Sequence, residues 1–178
     1  MVQNYFYQLR QLRVGMILAL LTLLYGFGLG AAFGTAEDGM KGSLKTSAQE
    51  VYETVYKGDK AEMSKVTDKS WTYFKRAHLH ANGMGAASLG MIILLSLLKG
   101  QSVMRMITAI GLGAGALGYS LFWLFAGMMA PGLGSTGLAK ETLAWLAIPS
   151  GVMFLSGTIA VLVVFVWCVL KPTVQELG

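Results

Sequence analysis

The chain has 178 residues, of which 54% are apolar and 13% charged, with a formal net charge of +5 and a mean hydropathy of +0.58. An ordinary soluble domain is about 25% charged, and half that density over so small a surface does not keep a globule in solution. The composition excludes a typical cytosolic enzyme, a disordered chain and a nucleic-acid-binding domain, whose basic residues would cluster rather than scatter, and leaves an integral membrane protein.

The first apolar segment, 14–33, follows Arg10 and Arg13 and ends near Gly30-Ala31-Ala32-Phe33-Gly34. It has the look of a signal peptide. Its apolar run of about 20 residues exceeds the usual 7–15 residue signal core, so a retained transmembrane helix is expected. Gly26, Gly30 and Gly34 recur every four residues, the spacing at which helix backbones approach closely.

A polar connection follows over 34–76. Val51, Tyr52, Val55 and Tyr56 recur at helical spacing, flanked by Glu50, Glu53 and Lys57. This predicts an amphipathic helix lying on the membrane or on the bundle, broken at Gly58-Asp59. The stretch 60–76 is expected to run straight into the second span, with Trp71, Tyr73 and Phe74 forming an interfacial aromatic belt.

The second span is read at 77–98 and the third at 106–130, joined by a tight basic turn at Gly100-Gln101-Ser102 between Lys99 and Arg105. Gly111 and Gly115 repeat the four-residue spacing. Gly113 to Gly118 spells G-x-G-x-x-G, but a dinucleotide site needs a preceding strand and a βαβ unit; inside a span the pattern is read as helix packing. Pro131 to Gly137 reads as a glycine-rich loop before the fourth span, 143–170, which Pro149 is expected to kink. The single cysteine, Cys168, cannot form an internal disulfide and is expected to be a buried small hydrophobe. No C-x-x-C-H motif for covalent haem attachment is present.

Each apolar segment is free of Asp, Glu, Lys and Arg and long enough to cross a ~30 Å hydrocarbon core. Lipid obliges such segments to satisfy their own backbones. The expected fold is all-α: one membrane domain, a four-helix bundle with an amphipathic helical connection between the first two spans. Both termini then share a side. A raw Lys and Arg count favours the long connection inside, and basic density next to the spans favours the termini inside. Arg10 and Arg13 before the first span, against Glu37 and Asp38 after it, decide for cytoplasmic termini in a bacterial inner membrane.

One constellation carries chemistry. Both histidines lie at the mouth of the second span, in Arg76-Ala77-His78-Leu79-His80-Ala81-Asn82-Gly83-Met84-Gly85. At 100° per residue, His78 and His80 stand on nearly opposite faces, so one unbroken helix cannot clamp a single metal with both. His78 shares its face with Trp71, Phe74, Asn82 and Gly85; His80 shares its face with Tyr73, Arg76, Met84 and Ala87. Haem b needs an imidazole, an apolar slot and a cation for its propionates. Histidines, the small residues at 83, 85, 86 and 87, and Lys75 and Arg76 supply each. A ligand-free hydrogen-bonding pair is the alternative. Copper, with His80 and Met84 four apart, is a weaker one because few further ligands are in reach.

The string Ala77-His78-x-His80-x-Asn82-x-x-Gly85 resembles the H-x-H helix of small membrane relatives of the haem–copper oxidase catalytic subunit and of NnrS-like haem and copper membrane proteins. The resemblance covers about ten residues. It implies haem ligation by His78 or His80, with Asn82 and Gly85 in the matched motif; Arg76 and Met84 join the candidate site from the reading of the residues themselves. With four spans and no third histidine it implies nothing about oxygen reduction. A second axial ligand would come from Met128, Met129 or Met153, from a second copy, or from a partner subunit, or the iron stays five-coordinate; Met128 and Met129 end the third span on the side of His78.

The reading that follows is a b-type haem subunit for electron transfer in a respiratory or oxidoreductase membrane complex, exchanging electrons with a quinone or a periplasmic carrier. The alternative is a cofactor-free structural accessory subunit, docking through its glycine-spaced helices in a hetero- or homo-oligomer. Either is favoured over an independent enzyme. A transporter is disfavoured because an ion path needs ionisable groups within the spans, and only Tyr25, Tyr119 and Cys168 are protic near their middles.

Overall fold

A computed structural model describes residues 2–98 and 102–170 as six helices: α1 (Val2–Gln11), α2 (Arg13–Glu50), α3 (Lys60–Leu97), α4 (Ser102–Leu133), α5 (Thr136–Thr142) and α6 (Ala144–Leu170). Helices α2, α3, α4 and α6 are long and apolar enough to cross a membrane, so the chain is an all-α integral membrane bundle. The turn expected at Gly100 and Gln101, with Lys99, lies outside the described residues, as do Lys171 and Glu176.

The bundle is centred on α4. Half of α4's most apolar window is buried, against 11% of α6's. Helices α2, α3 and α4 pack on one another, and α6 rests on the outer side of α4 with a small contact to α3. Lipid tails are as apolar as leucine, so helices here associate by close packing rather than by hydrophobic exclusion. Glycine supplies the approach. A Cβ on Gly113 would lie 2.6 Å from the Gly15 carbonyl of α2, and one on Gly115 would lie 2.6 Å from the Phe154 nitrogen of α6. The G-x-G-x-x-G run is thus a two-sided packing surface. Several hydroxyls inside the bundle find carbonyls: Ser88 donates to Leu112 O at 3.0 Å across the α3–α4 seam, while Thr22 and Ser120 donate to carbonyls four residues back.

Helices α2 and α3 are each 38 residues long, about 57 Å at 1.5 Å per residue. Both outrun a ~30 Å hydrocarbon core, so the polar connection is a helical hairpin continuing the two spans. In α2, Ala36 departs from helical geometry at φ −137°. In α3 the run from 60 passes unbroken into the span, as the sequence predicts. Asp59 caps it by accepting from the Ala61 and Glu62 amides at 2.9 and 3.0 Å.

Four local expectations are corrected. The amphipathic stretch 51–57 is a chain of turns, not a helix. The chain must reverse there, and it does so with Lys57 and Gly58 both at positive φ. The apolar side chains that gave the helical spacing instead close the hairpin onto the bundle: Tyr56 and Ala48 share a core with Val66, Ala130 and Ala139. The glycine-rich loop 131–137 is mostly helical. Pro131 belongs to α4, and Gly134, at φ +65°, ends it with paired bonds from Gly134 N to Pro131 O and from Ser135 N to Ala130 O, a Schellman motif. Ser135 then caps α5 by accepting from Leu138 N. The aromatic belt turns inward: Tyr73 and Phe74 are buried, and Trp71 is half-buried. Cys168 is half-buried rather than buried.

Tyr56 locks the hairpin to the end of α4 by donating to Pro131 O at 2.7 Å. Burial raises the pKa of this phenol above its ordinary value, with Glu62 adding to the effect. A raised folded-state pKa favours the protonated, folded form, so this contribution is full below the unfolded pKa of about 10 and declines as pH rises above it. Tyr56→Phe is expected to cost about 1 kcal/mol at neutral pH. Denaturant titrations in detergent at neutral and alkaline pH should show that the gap between the two proteins narrows above about pH 10.

Candidate functional site at the mouth of the second span

His78 and His80 sit in the first turn of α3's apolar stretch, and the structure sends them into different seams. His78 faces α2. Its Nδ1 lies 2.8 Å from Gly26 O. A carbonyl only accepts, so Nδ1 carries the proton and Nε2 the lone pair. The Asn82 amide nitrogen donates to His78 O at 3.1 Å and lies against the imidazole, 3.2 Å from Nδ1 and 3.4 Å from Nε2. The His78 ring is therefore enclosed in the seam and anchored through Nδ1. The ring is walled by Phe33, 5.6 Å away edge-on, and Phe33 in turn meets Trp71 at 5.1 Å.

The glycine spacing on α2 makes this seat. A Cβ on Gly30 would lie 2.8 Å from His78 Cε1, and one on Gly26 would lie 2.6 Å from Asn82 Oδ1. The two glycines admit a polar pair rather than a bare backbone; Gly34, the third in the series, meets nothing within 4 Å. Gly85, expected to leave room for a flat ring, packs instead against α2, where a Cβ would lie 3.1 Å from Leu23 Cγ. The α2-facing side of α3, with His78, Asn82 and Gly85, does not fit a tetrapyrrole.

His80 faces α4. Its Nδ1 lies 2.7 Å from Arg76 O, so the proton again sits on Nδ1 and Nε2 keeps its lone pair. The imidazole stacks on Trp123 at 5.9 Å and 30° and meets Tyr119 at 5.3 Å. The Arg76 guanidinium covers the same aromatic group, 4.8 Å from the Trp123 ring and 5.5 Å from Tyr73. Sequence reasoning placed Tyr73, Arg76 and His80 on one face but missed Tyr119 and Trp123, since nothing local tells which α4 residues stand opposite. Met84 is half-buried one turn below His80. Among the described residues, the buried Trp123 Nε1 and Asn82 Oδ1 have no hydrogen-bond partner.

The register of α3 against α4 also locates the methionines. Tyr119 and Trp123 stand level with His80, and Gly127 stands level with Ser70 and Phe74. Met128 and Met129 therefore lie about two turns outward of His80, and Met129 packs with the hairpin core. Met153 lies on α6 beside Gly111, further inward. None of the three comes level with the imidazole. No group of three or more His, Cys, Asp or Glu residues among the described residues is arranged to hold a metal ion.

No family model matches the chain, and neither a curated protein nor a solved structure does.

The polar seat gives a sharp expectation. Gly26→Val and Gly30→Val each force His78 or Asn82 from the seam and are expected to cost about 1–3 kcal/mol. Gly28→Val, on the same helix but with nothing within 4 Å, is expected to leave stability unchanged. Unfolding of the purified variants in mixed micelles separates the two classes.

Proposed function

We propose that this chain is a structural subunit of a bacterial inner-membrane complex, with cytoplasmic termini, and that it assembles with further transmembrane helices through the outward face of α3. One observation carries the reading. Most span glycines meet a neighbouring helix, whereas a Cβ on Gly28, Gly83 or Gly90 would meet nothing within 4 Å. Of these, Gly83 and Gly90 are seven residues apart and share one face of α3. With the exposed Ala86 and Ala87 they form a smooth strip along α3, bordered by Leu79, which is 65% exposed. Gly28, the other open span glycine, stands alone beside exposed Leu21 and Leu24. Small residues four apart on an open membrane face suit close approach by another helix.

A second reading adds haem b at the edge of this strip, and the state of His80 favours it. The Nδ1 bond to Arg76 O leaves Nε2 free to ligate, and a backbone partner on the other nitrogen is the usual support for a ligating histidine. Around the helix, His80 lies about 20° from Ala87 and about 60° from Gly83. His80 would hold the iron, Arg76 would meet a propionate, and the strip would admit the ring. The group would supply one-electron transfer with a quinone or a periplasmic carrier. His78, bonded through Nδ1 to Gly26 O and walled by Phe33, would position α3 against α2. A second axial ligand would come from the assembling helix, since Met128, Met129 and Met153 are off level.

Two measurements test these readings. In mild detergent the protein should migrate on native gels as a complex larger than one chain. Gly83→Phe with Ala87→Phe should release the monomer, while Leu24→Phe should not. Migration as a monomer throughout defeats the assembly reading. A dithionite-reduced spectrum of the purified complex should show a b-type haem that His80→Ala abolishes and His78→Ala retains; no haem band, or the reverse dependence, defeats the haem reading.

A further inference from the structure

We infer that the groove where α1, α2 and α4 meet binds the headgroup of an anionic phospholipid. The groove measures about 420 Å³ and is lined by Tyr7, Arg10, Gln11, Arg13, Val14 and Met106. It lies at the end of the bundle opposite the helical hairpin, where α2 enters its apolar span.

The electrostatics of this end are one-sided. No Asp or Glu occurs in residues 1–36 or 77–140, so the helix segments around the groove bring no carboxylate to it. Both ion pairs of the described residues, Lys41–Glu37 and Lys65–Glu62, are in the hairpin. Arg10 and Arg13 are exposed and flank a break in the helix, and an arginine fork matches a phosphate in both charge and geometry.

The groove is also built rather than incidental. Leu12, between the two arginines, is 2% exposed and belongs to the core with Ile92, Leu95 and Ala109. It pins the elbow between α1 and α2. Gln8 on α1 accepts from the buried Arg105 at 3.4 Å, and Arg105 also donates to Leu98 O at 2.9 Å, at the end of α3. The arginines are thus held at a fixed angle to the span.

The opposite wall is apolar. Val14 and Met106 are 46% and 40% exposed, and Ile17 and Leu21 continue the exposed apolar surface along α2. Cations at the rim and a greasy track below match an amphiphile with a phosphate head and an acyl tail. A soluble anion would use the rim alone. Tyr7 supplies an interfacial aromatic at headgroup depth.

The test uses the purified full chain in a neutral detergent, titrated with phosphatidylglycerol, phosphatidylcholine or inorganic phosphate, with thermal unfolding and native mass spectrometry as readouts. Phosphatidylglycerol should raise the unfolding midpoint and remain bound in the mass spectrum, and neither other probe should. Arg10→Gln with Arg13→Gln should weaken the response about thirtyfold, the joint worth of two interfacial cations. Lys65→Gln with Lys69→Gln, in the hairpin, should leave it unchanged. An equal response to phosphatidylcholine, a matching shift with inorganic phosphate, or a phosphatidylglycerol response that survives loss of both arginines would each overturn the assignment.

Discussion

The bundle rests on backbones that come closer than side chains normally allow. In lipid, apolar surface gives helices no reason to prefer one another to the acyl chains, so cohesion must come from contact density and from polar groups closed within the protein. Gly15 and Gly113 bring α2 onto α4, and Gly115 and Gly157 bring α6 onto α4. These crossings place α4 at the centre and leave α6 with lipid on most of its surface. The same close approach lets Ser88 reach a carbonyl on the next helix.

That packing also sorts the histidines. Because α2 presents Gly26 and Gly30 to α3, His78 is drawn into the seam, where the Gly26 carbonyl takes its Nδ1 and the Asn82 amide lies against the ring. His80, two residues on, is turned the other way and meets an aromatic floor instead of a glycine seat. One residue becomes part of the frame. The other keeps a lone pair beside an arginine at membrane depth, where an unspent polar group is costly and tends to serve a function. Two identical side chains in one turn of helix thus acquire separate chemistry from what stands opposite.

Much of this was legible in the sequence. Charge-free runs marked the spans, and a rotation of 100° per residue put the histidines on opposing faces. Glycine spacing marked close crossings, though not their contents: at Gly26 and Gly30 it marked room for a side-chain pair. Other features were not legible because they depend on partners far along the chain. The spacing of Val51, Tyr52, Val55 and Tyr56 is truly apolar and periodic, yet these residues turn the chain because Ala130, Pro131 and Ala139 wait to receive them. Pro131 and Gly134 look like loop residues and are a helix end, since glycine fits the left-handed cap and the chain closes back onto the Ala130 and Pro131 carbonyls. The identity of the helix covering each histidine was equally hidden.

The unequal continuity of the two long helices has a mechanical meaning. α3 runs without a break from the Asp59 cap, past both histidines, to Leu97. α2 is interrupted at Ala36. The hairpin thus has one continuous arm and one jointed arm. The joint at Ala36 lies six residues beyond Gly30, just outside the His78 seat, while the continuous arm holds both imidazoles in one helical register.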